Sequence, residues 1–361
     1  MLRISSEWLQ GFSSGEAYNP RNAVVAALGL GAASAQGLGA AMARCDDGAR
    51  WVELSNKISA YRLFASANRY IGPDEDKPVA ALYRIAEMDP YSRMWTTEGV
   101  GWHLGTCWLR EGKDHLFKAD EVIPASAIPL LTGACLALAE AALAGVVNGD
   151  LTSMLAQFRE RRHELCPDGF EDLALEALGL MAITLYPHVP RAIEDLLRES
   201  EDLAFFWHGV GRGLYFSPLG MLPVGAARRW LMKECQTLSR SDLGNENALS
   251  GFAWATTLVN MHSPEVLERC AEDLGAAAST AAFQNGVASA ISFWLAAAPG
   301  QSLPDSIAGY YPKQPAAFDD AFATPARLAN RQHPTEEKTQ RLTKLFRYPG
   351  SNQAWDLSES G

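Results

Sequence analysis

Gly-Val-Gly stands twice inside runs that otherwise have helical spacing, as Gly99-Val100-Gly101 and Gly209-Val210-Gly211. A glycine in a helix interior costs roughly 1 kcal/mol against alanine. Close approach of a second helix can recover that cost. These glycines are therefore expected at helix crossings in the centre of a bundle. The competing reading is a break in the helix at a bend that faces a ligand.

The rest of the chain agrees with a helical frame. Trp51, Leu54, Ile58, Tyr61 and Phe64 fall at three- and four-residue steps, which predicts a helix over 51–70. Similar runs lie at 79–88, 95–109, 127–147, 151–165, 170–186, 192–201, 225–238, 247–261, 264–274 and 277–298. Ser263 is placed to cap the helix that Pro264 opens. No stretch alternates with period two. The expected fold class is all-α: a helical bundle or short helical solenoid with a tandem duplication.

The duplication rests on three motifs in the same order. Gly99 and Gly209 are 110 residues apart, Gly133 and Gly251 are 118 apart, and Gly179 and Gly286 are 107 apart. Near-constant offsets suggest a unit of about a hundred residues. Ala/Gly-rich helices also match one another cheaply, so coincidence stands as the alternative. The resulting division is an N-terminal Gly/Ala-rich helical region (1–84), a first repeat (85–190), a second repeat (191–300) and a Pro-rich, loosely ordered tail (301–361).

Composition narrows the function classes. With 48% hydrophobic and 20% charged residues, the 361-residue chain has an ordinary globular balance. A net charge of −11 disfavours nucleic acid and anionic membranes as partners. Residues 23–43 are uncharged and of membrane-spanning length, but their Ala/Gly content favours a Gly-rich loop and buried helix over a span. Six cysteines without metal-ligand spacing read as reduced core thiols in a cytoplasmic protein. No phosphate loop, dinucleotide fingerprint, nucleophile elbow or zinc-binding helix motif is present, and neither a metal nor a cofactor is expected.

Candidate chemistry gathers around the second Gly-Val-Gly, in Phe205-Phe206-Trp207-His208-Gly209-Val210-Gly211-Arg212-Gly213-Leu214-Tyr215-Phe216. His208, Arg212 and Tyr215 share one helix face. Arg212 between two glycines offers an open approach to a carboxylate or phosphate; alternatively it pairs internally with Glu98, Glu176 or Asp202. Glu98 occupies the position in the first motif that His208 holds in the second. If the repeats pack about a twofold axis, the two would face each other as an acid/base pair or weak metal site. The catalytic candidates are thus Glu98, His208, Arg212 and Tyr215. The ligand-binding candidates are Trp95, Trp102, His103, Phe206, Trp207 and Trp254.

The run 205–216, the upstream Thr97-Glu98-Gly99-Val100-Gly101 and Ser250-Gly251-Phe252-Ala253-Trp254-Ala255 together resemble a bacterial family of unknown function found beside enediyne-type polyketide synthase genes. The resemblance covers roughly residues 85–300. It implies an accessory protein of natural-product biosynthesis and supplies no catalytic residues. Two functions follow as expectations. One is a protein that binds an apolar small molecule or a carrier or other partner protein. The other is a cofactor-independent enzyme acting on an apolar polyketide-like substrate through the four catalytic candidates.

Overall fold

The computed structural model describes residues 48–71, 78–111, 124–146, 150–222, 225–298, 301, 303–331 and 346–350. Among them there is no strand, and the all-α expectation holds. The helices are α1 (Gly48–Ala65), α2 (Pro78–Ile85), α3 (Pro90–Glu111), α4 (Pro124–Val146), α5 (Leu151–Leu165), α6 (Asp172–Leu185), α7 (Pro190–Leu197) and α8 (Asp202–Phe216). They continue as α9 (Gly225–Thr237), α10 (Asp242–Val259), α11 (Pro264–Leu274), α12 (Ala281–Ala297), α13 (Leu303–Ala308), α14 (Pro315–Phe318) and α15 (Thr324–Arg331), with a π turn (Asp319–Ala323) between the last two.

Several starts are set by local chemistry. Asp150 accepts from the backbone N–H of Thr152 and Ser153 at the head of α5, and Ser241 accepts from Gly244 at the head of α10. Pro264 opens α11 as expected, but Ser263 makes no capping bond. Its hydroxyl instead accepts from Asn56 Nδ2 at 3.2 Å, which ties α11 to α1.

Packing runs in succession: α3 on α4, α4 on α6, α6 on α8, α8 on α10, α10 on α12, and α12 back on α4. The Gly-Val-Gly motifs explain the order. Residues two apart on a helix point about 200° apart, so the two glycines of each motif serve opposite neighbours. A Cβ on Gly209 would collide with the Glu176 carbonyl of α6, and one on Gly211 with the Ala248 carbonyl of α10. Helix α8 is thereby sandwiched. In α3, Gly99 meets the Phe64 carbonyl of α1 and Gly101 the Leu130 carbonyl of α4. Both helices run unbroken through their glycines. The crossing reading is correct, and the ligand-facing bend is not.

Two crossings share one geometry. Gly101 faces Leu130 while Gly133 faces Glu98, and Gly211 faces Ala248 while Gly251 faces His208. The third motif differs. Gly286 packs on Ser250 of α10, as a repeat would require, but Gly179 packs on Phe206 of α8 and not on α4. The recurring glycines are accounted for by recurring crossings, and a tandem duplication is not established by them.

A single hydrophobic cluster extends from Ala60 to Tyr348 across the helices of both expected repeats. It includes Ile307, Phe318, Ala321, Phe322, Ala326, Phe346 and Tyr348. Those parts of 301–361 are packed core, contrary to the loosely ordered tail expected there. Proline starts α14 and pairs of aromatics, Tyr310 with Phe318 and Phe283 with Phe322, seat the segment. Within α4, Ser126–Ala144 is long and apolar enough to cross a membrane, but 72% of it is buried against other helices. The stretch 23–43 lies outside the described residues.

Candidate functional site

Helix α6 contributes one carboxylate from an otherwise apolar run, Leu173-Ala174-Leu175-Glu176-Ala177-Leu178. The Gly209 crossing brings α8 against it, which places Glu176 beside His208 and Arg212. His208 Nδ1 lies 2.8 Å from Glu176 Oε1, and Arg212 Nη1 donates to Glu176 Oε2 at 2.6 Å. Arg212 Nη2 reaches Glu98 Oε1 at 3.7 Å, and its guanidinium lies 4.3 Å over the Trp254 ring. All four polar residues are buried, Glu176 and His208 completely.

Arg212 is therefore paired internally and not open to an outside anion, and of its three expected internal partners it takes two. Asp202 pairs instead with Arg159 and Arg162. The expected direct pairing of Glu98 with His208 is also corrected: Glu176 is the histidine's partner, and Glu98 stands on the other side of Arg212.

Burial sets the protonation states. It pushes Glu98 up to about 7, with Arg212 opposing and Glu176 adding to the rise. Glu176 is equally buried, but Arg212 and His208 outweigh that desolvation and hold it below the usual carboxylate range. Burial lowers His208, against the pull of Glu176. An ionised Glu176 can only accept, so the neutral imidazole carries its proton on Nδ1 and presents Nε2 as a bare lone pair. His208 Nε2, Arg212 Nε and Trp254 Nε1 have no hydrogen-bond partner among the described residues.

Arg212 and Trp254 border a cavity, while His208 stands behind its wall. Its wall is Met94, Trp95 and Glu98 of α3, Pro129 and Thr132 of α4, Arg212, Trp254 and Leu258, Phe293 of α12, and Phe346. The space has room for about one water molecule. Phe346 closes one side. Its ring centroid lies 5.9 Å from His208, 5.7 Å from Trp254 and 6.1 Å from Phe293.

Of the ligand-binding candidates, Trp95 and Trp254 line this cavity. Phe206 and Trp207 do not; they meet edge to face in the core. Trp102 donates to Glu140 Oε2 at 3.2 Å, and His103 lies 3.7 Å from the Cys107 sulfur. Tyr215 also belongs elsewhere, since three more residues along α8 carry it past the cavity. Its hydroxyl accepts from Asn260 Nδ2 at 2.7 Å, and Lys57 Nζ sits 3.7 Å over its ring.

Lys57 is part of a second buried cluster that no motif or spacing in the chain foretells. It donates to the Gly220 carbonyl at 2.6 Å and pairs with Glu53 at 3.2 Å. Arg228 bridges Glu53 and Asp273, and Arg50 reaches Asp273 at 3.1 Å. Desolvation lowers Lys57 despite Glu53. The cluster's charged groups are paired with one another, as in a structural ion network.

Among the described residues no three His, Cys, Asp or Glu side chains converge as a metal site. Comparison with protein-family models, curated proteins and solved structures gives no match, so the site's own chemistry carries the functional reading.

Proposed function

We propose that the protein binds a small, largely apolar, ring-bearing molecule over Arg212, where the one-water cavity widens to admit it. The observation that carries this is the pairing of aromatic walls with unsatisfied polar groups. Trp254 and Phe293 supply apolar area, while Arg212 Nε–H and Trp254 Nε1–H are buried donors with no acceptor among the described residues. Leaving a buried donor unmet costs about 1–3 kcal/mol, so an acceptor oxygen brought there recovers real free energy. Charge limits the ligand class. Arg212 is already neutralised by Glu176, and a second buried anion would lack a cation. The fitting ligand is uncharged, with a flat apolar body and a carbonyl or hydroxyl oxygen. Products of the polyketide type, which the sequence resemblance implies, include such molecules.

Equilibrium dialysis of the purified full chain against acetophenone, toluene and benzoate tests this reading. Saturable binding in the order acetophenone, toluene, benzoate is expected. Equal retention of all three, or preference for benzoate, would overturn it.

One observation favours a second reading, acid–base catalysis on such a ligand. Glu98 is pushed into the neutral pH range, and His208 holds a bare Nε2 oriented by Glu176. In that case Glu98 is the group that exchanges a proton with the ligand oxygen, and Tyr215 has no part. Turnover of a bound ligand should then vanish in Glu98→Gln while binding persists; turnover unchanged by that substitution would rule the catalytic reading out.

A further inference from the structure

We propose that Phe346 is a built-in plug for this cavity, and that release of the strap Phe346–Gly350 admits the ligand; this rests on the small-molecule reading above. The Phe346 ring occupies the space among His208, Trp254 and Phe293 that a ligand ring would take. It reaches the site from a short non-helical strap, while the other cavity walls are long helices crossing at glycines.

The strap is held by a clasp. Asn247 Oδ1 accepts from the Tyr348 backbone N–H at 2.6 Å, and Asn247 Nδ2 donates to the Tyr348 carbonyl at 3.2 Å. The amide thus satisfies both backbone groups of one residue, as a neighbouring strand would. Arg347 adds an ion pair to the exposed Glu201 at 3.3 Å and lies 5.4 Å over the Phe205 ring. Neither Asn247 nor Arg347 lines the cavity. Release has to break this clasp and draw the buried Phe346 and Tyr348 rings out of the core, but none of these contacts is a helix crossing, so the segment can open below the global unfolding free energy.

With Phe346 withdrawn, the cavity gains the volume of a phenyl ring next to the donors of Arg212 and Trp254. The strap then acts as a competitor tethered to its own site. The observed affinity for a ligand is the intrinsic affinity multiplied by the fraction of time the strap is released.

The test is stopped-flow tryptophan fluorescence of the full chain with acetophenone, comparing wild type, Asn247→Ala and Phe346→Ala. Wild type should show an association rate that reaches a plateau as acetophenone rises, set by strap release. Asn247→Ala should raise that plateau roughly tenfold, the effect of losing about one net hydrogen bond. Phe346→Ala should abolish the plateau; Phe346→Leu serves if the alanine variant does not fold. A plateau unchanged in Asn247→Ala, or wild type and Phe346→Ala binding at the same rate, would overturn the plug while leaving the small-molecule reading standing. Uptake by Phe346→Ala alone would make Phe346 a permanent wall and also overturn it. No uptake by any variant would remove the small-molecule reading, and the plug with it.

Discussion

Gly211 of α8 lies directly against the backbone carbonyl of Ala248 in α10, so close that any Cβ there would fall well under 3.0 Å from it. Three residues back, His208 presents its own carbonyl to Gly251 in the same way. Gly211→Ala must therefore push two core helices apart, and nothing flexible is available to yield. A loss of about 3 kcal/mol or more in urea unfolding is expected, at the upper end for overpacking. Gly48→Ala, where a Cβ meets nothing within 4 Å, should stay within about 1 kcal/mol of wild type.

That contrast also shows what was legible before the structure. Glycines at 99, 101, 209 and 211 stand inside helical periodicity, and only a close crossing makes them tolerable, so the crossings could be read from the chain. Which helix crosses which could not. Glu176 was one of three expected partners for Arg212, but its selection depends on the Gly209 crossing. Tyr215 shares a helix face with Arg212, yet seven residues along α8 separate it from His208 and carry it into another cluster. Phe346 was hidden for a different reason. A single aromatic in an irregular segment has no period, and its docking through Asn247 joins positions 101 residues apart.

Glu98 gives a pH signature. Its carboxyl is held near 7 in the folded protein, above its ordinary value of 4.5, so the native state binds the extra proton. Stability from this group is present below pH 4.5 and is lost as pH rises towards 7. The full shift corresponds to about 3 kcal/mol. Glu98→Gln should remove that loss, so its stability relative to wild type should increase between pH 5 and pH 8, by on the order of a few kcal/mol. Parallel stability–pH curves for the two proteins would contradict this assignment.

The His208–Glu176 contact is tested by breaking one side. Glu176→Gln leaves Arg212 as a buried cation facing, among the described residues, only the Glu98 carboxylate, at 3.7 Å. Removing one partner from a buried ion pair costs about 3–5 kcal/mol. Thermal and urea unfolding should both report a loss in that range. Glu98 should then titrate lower, since the like charge of Glu176 no longer raises it and Arg212 has no other carboxylate to answer. Loss of stability without a lower Glu98 titration, followed by carboxyl infrared bands, would mean the two carboxylates do not sense each other through Arg212.

Thiol reactivity should follow burial. Cys107 is half-buried, whereas Cys135, Cys166, Cys235 and Cys270 are buried. Burial pushes the Cys235 thiol up, and pushes Cys270 up to about 12. The thiolate is the reactive form. Among these five, maleimide should label Cys107 first under native conditions, and the other four only after denaturant is added. Peptide mapping by mass spectrometry reads the order directly, and early labelling of Cys235 or Cys270 would contradict the packing around them.

Arg228 is the keystone of the second cluster, and its removal separates the pH behaviour of that cluster from that of Glu98. It bridges Glu53 and Asp273 and also donates to the Arg269 carbonyl at 3.2 Å. Burial opposes ionisation of Glu53, but Arg228 and Lys57 outweigh it and hold the carboxyl down to about 2. That contribution to stability is present above pH 4.5 and is lost as pH falls towards 2, the reverse of Glu98. Arg228→Leu leaves Glu53 with Lys57 and Asp273 with Arg50. Each carboxylate keeps a cation, so the loss should sit near the lower end for a broken buried pair, about 3 kcal/mol at pH 7. Acid should shrink it, because protonated carboxyls no longer need the guanidinium. Added salt should change it little, since ions screen buried pairs weakly. A loss that is constant from pH 7 to pH 3 would instead place the effect in the packing of the Arg228 side chain, leaving Lys57 as the main counter-charge of Glu53.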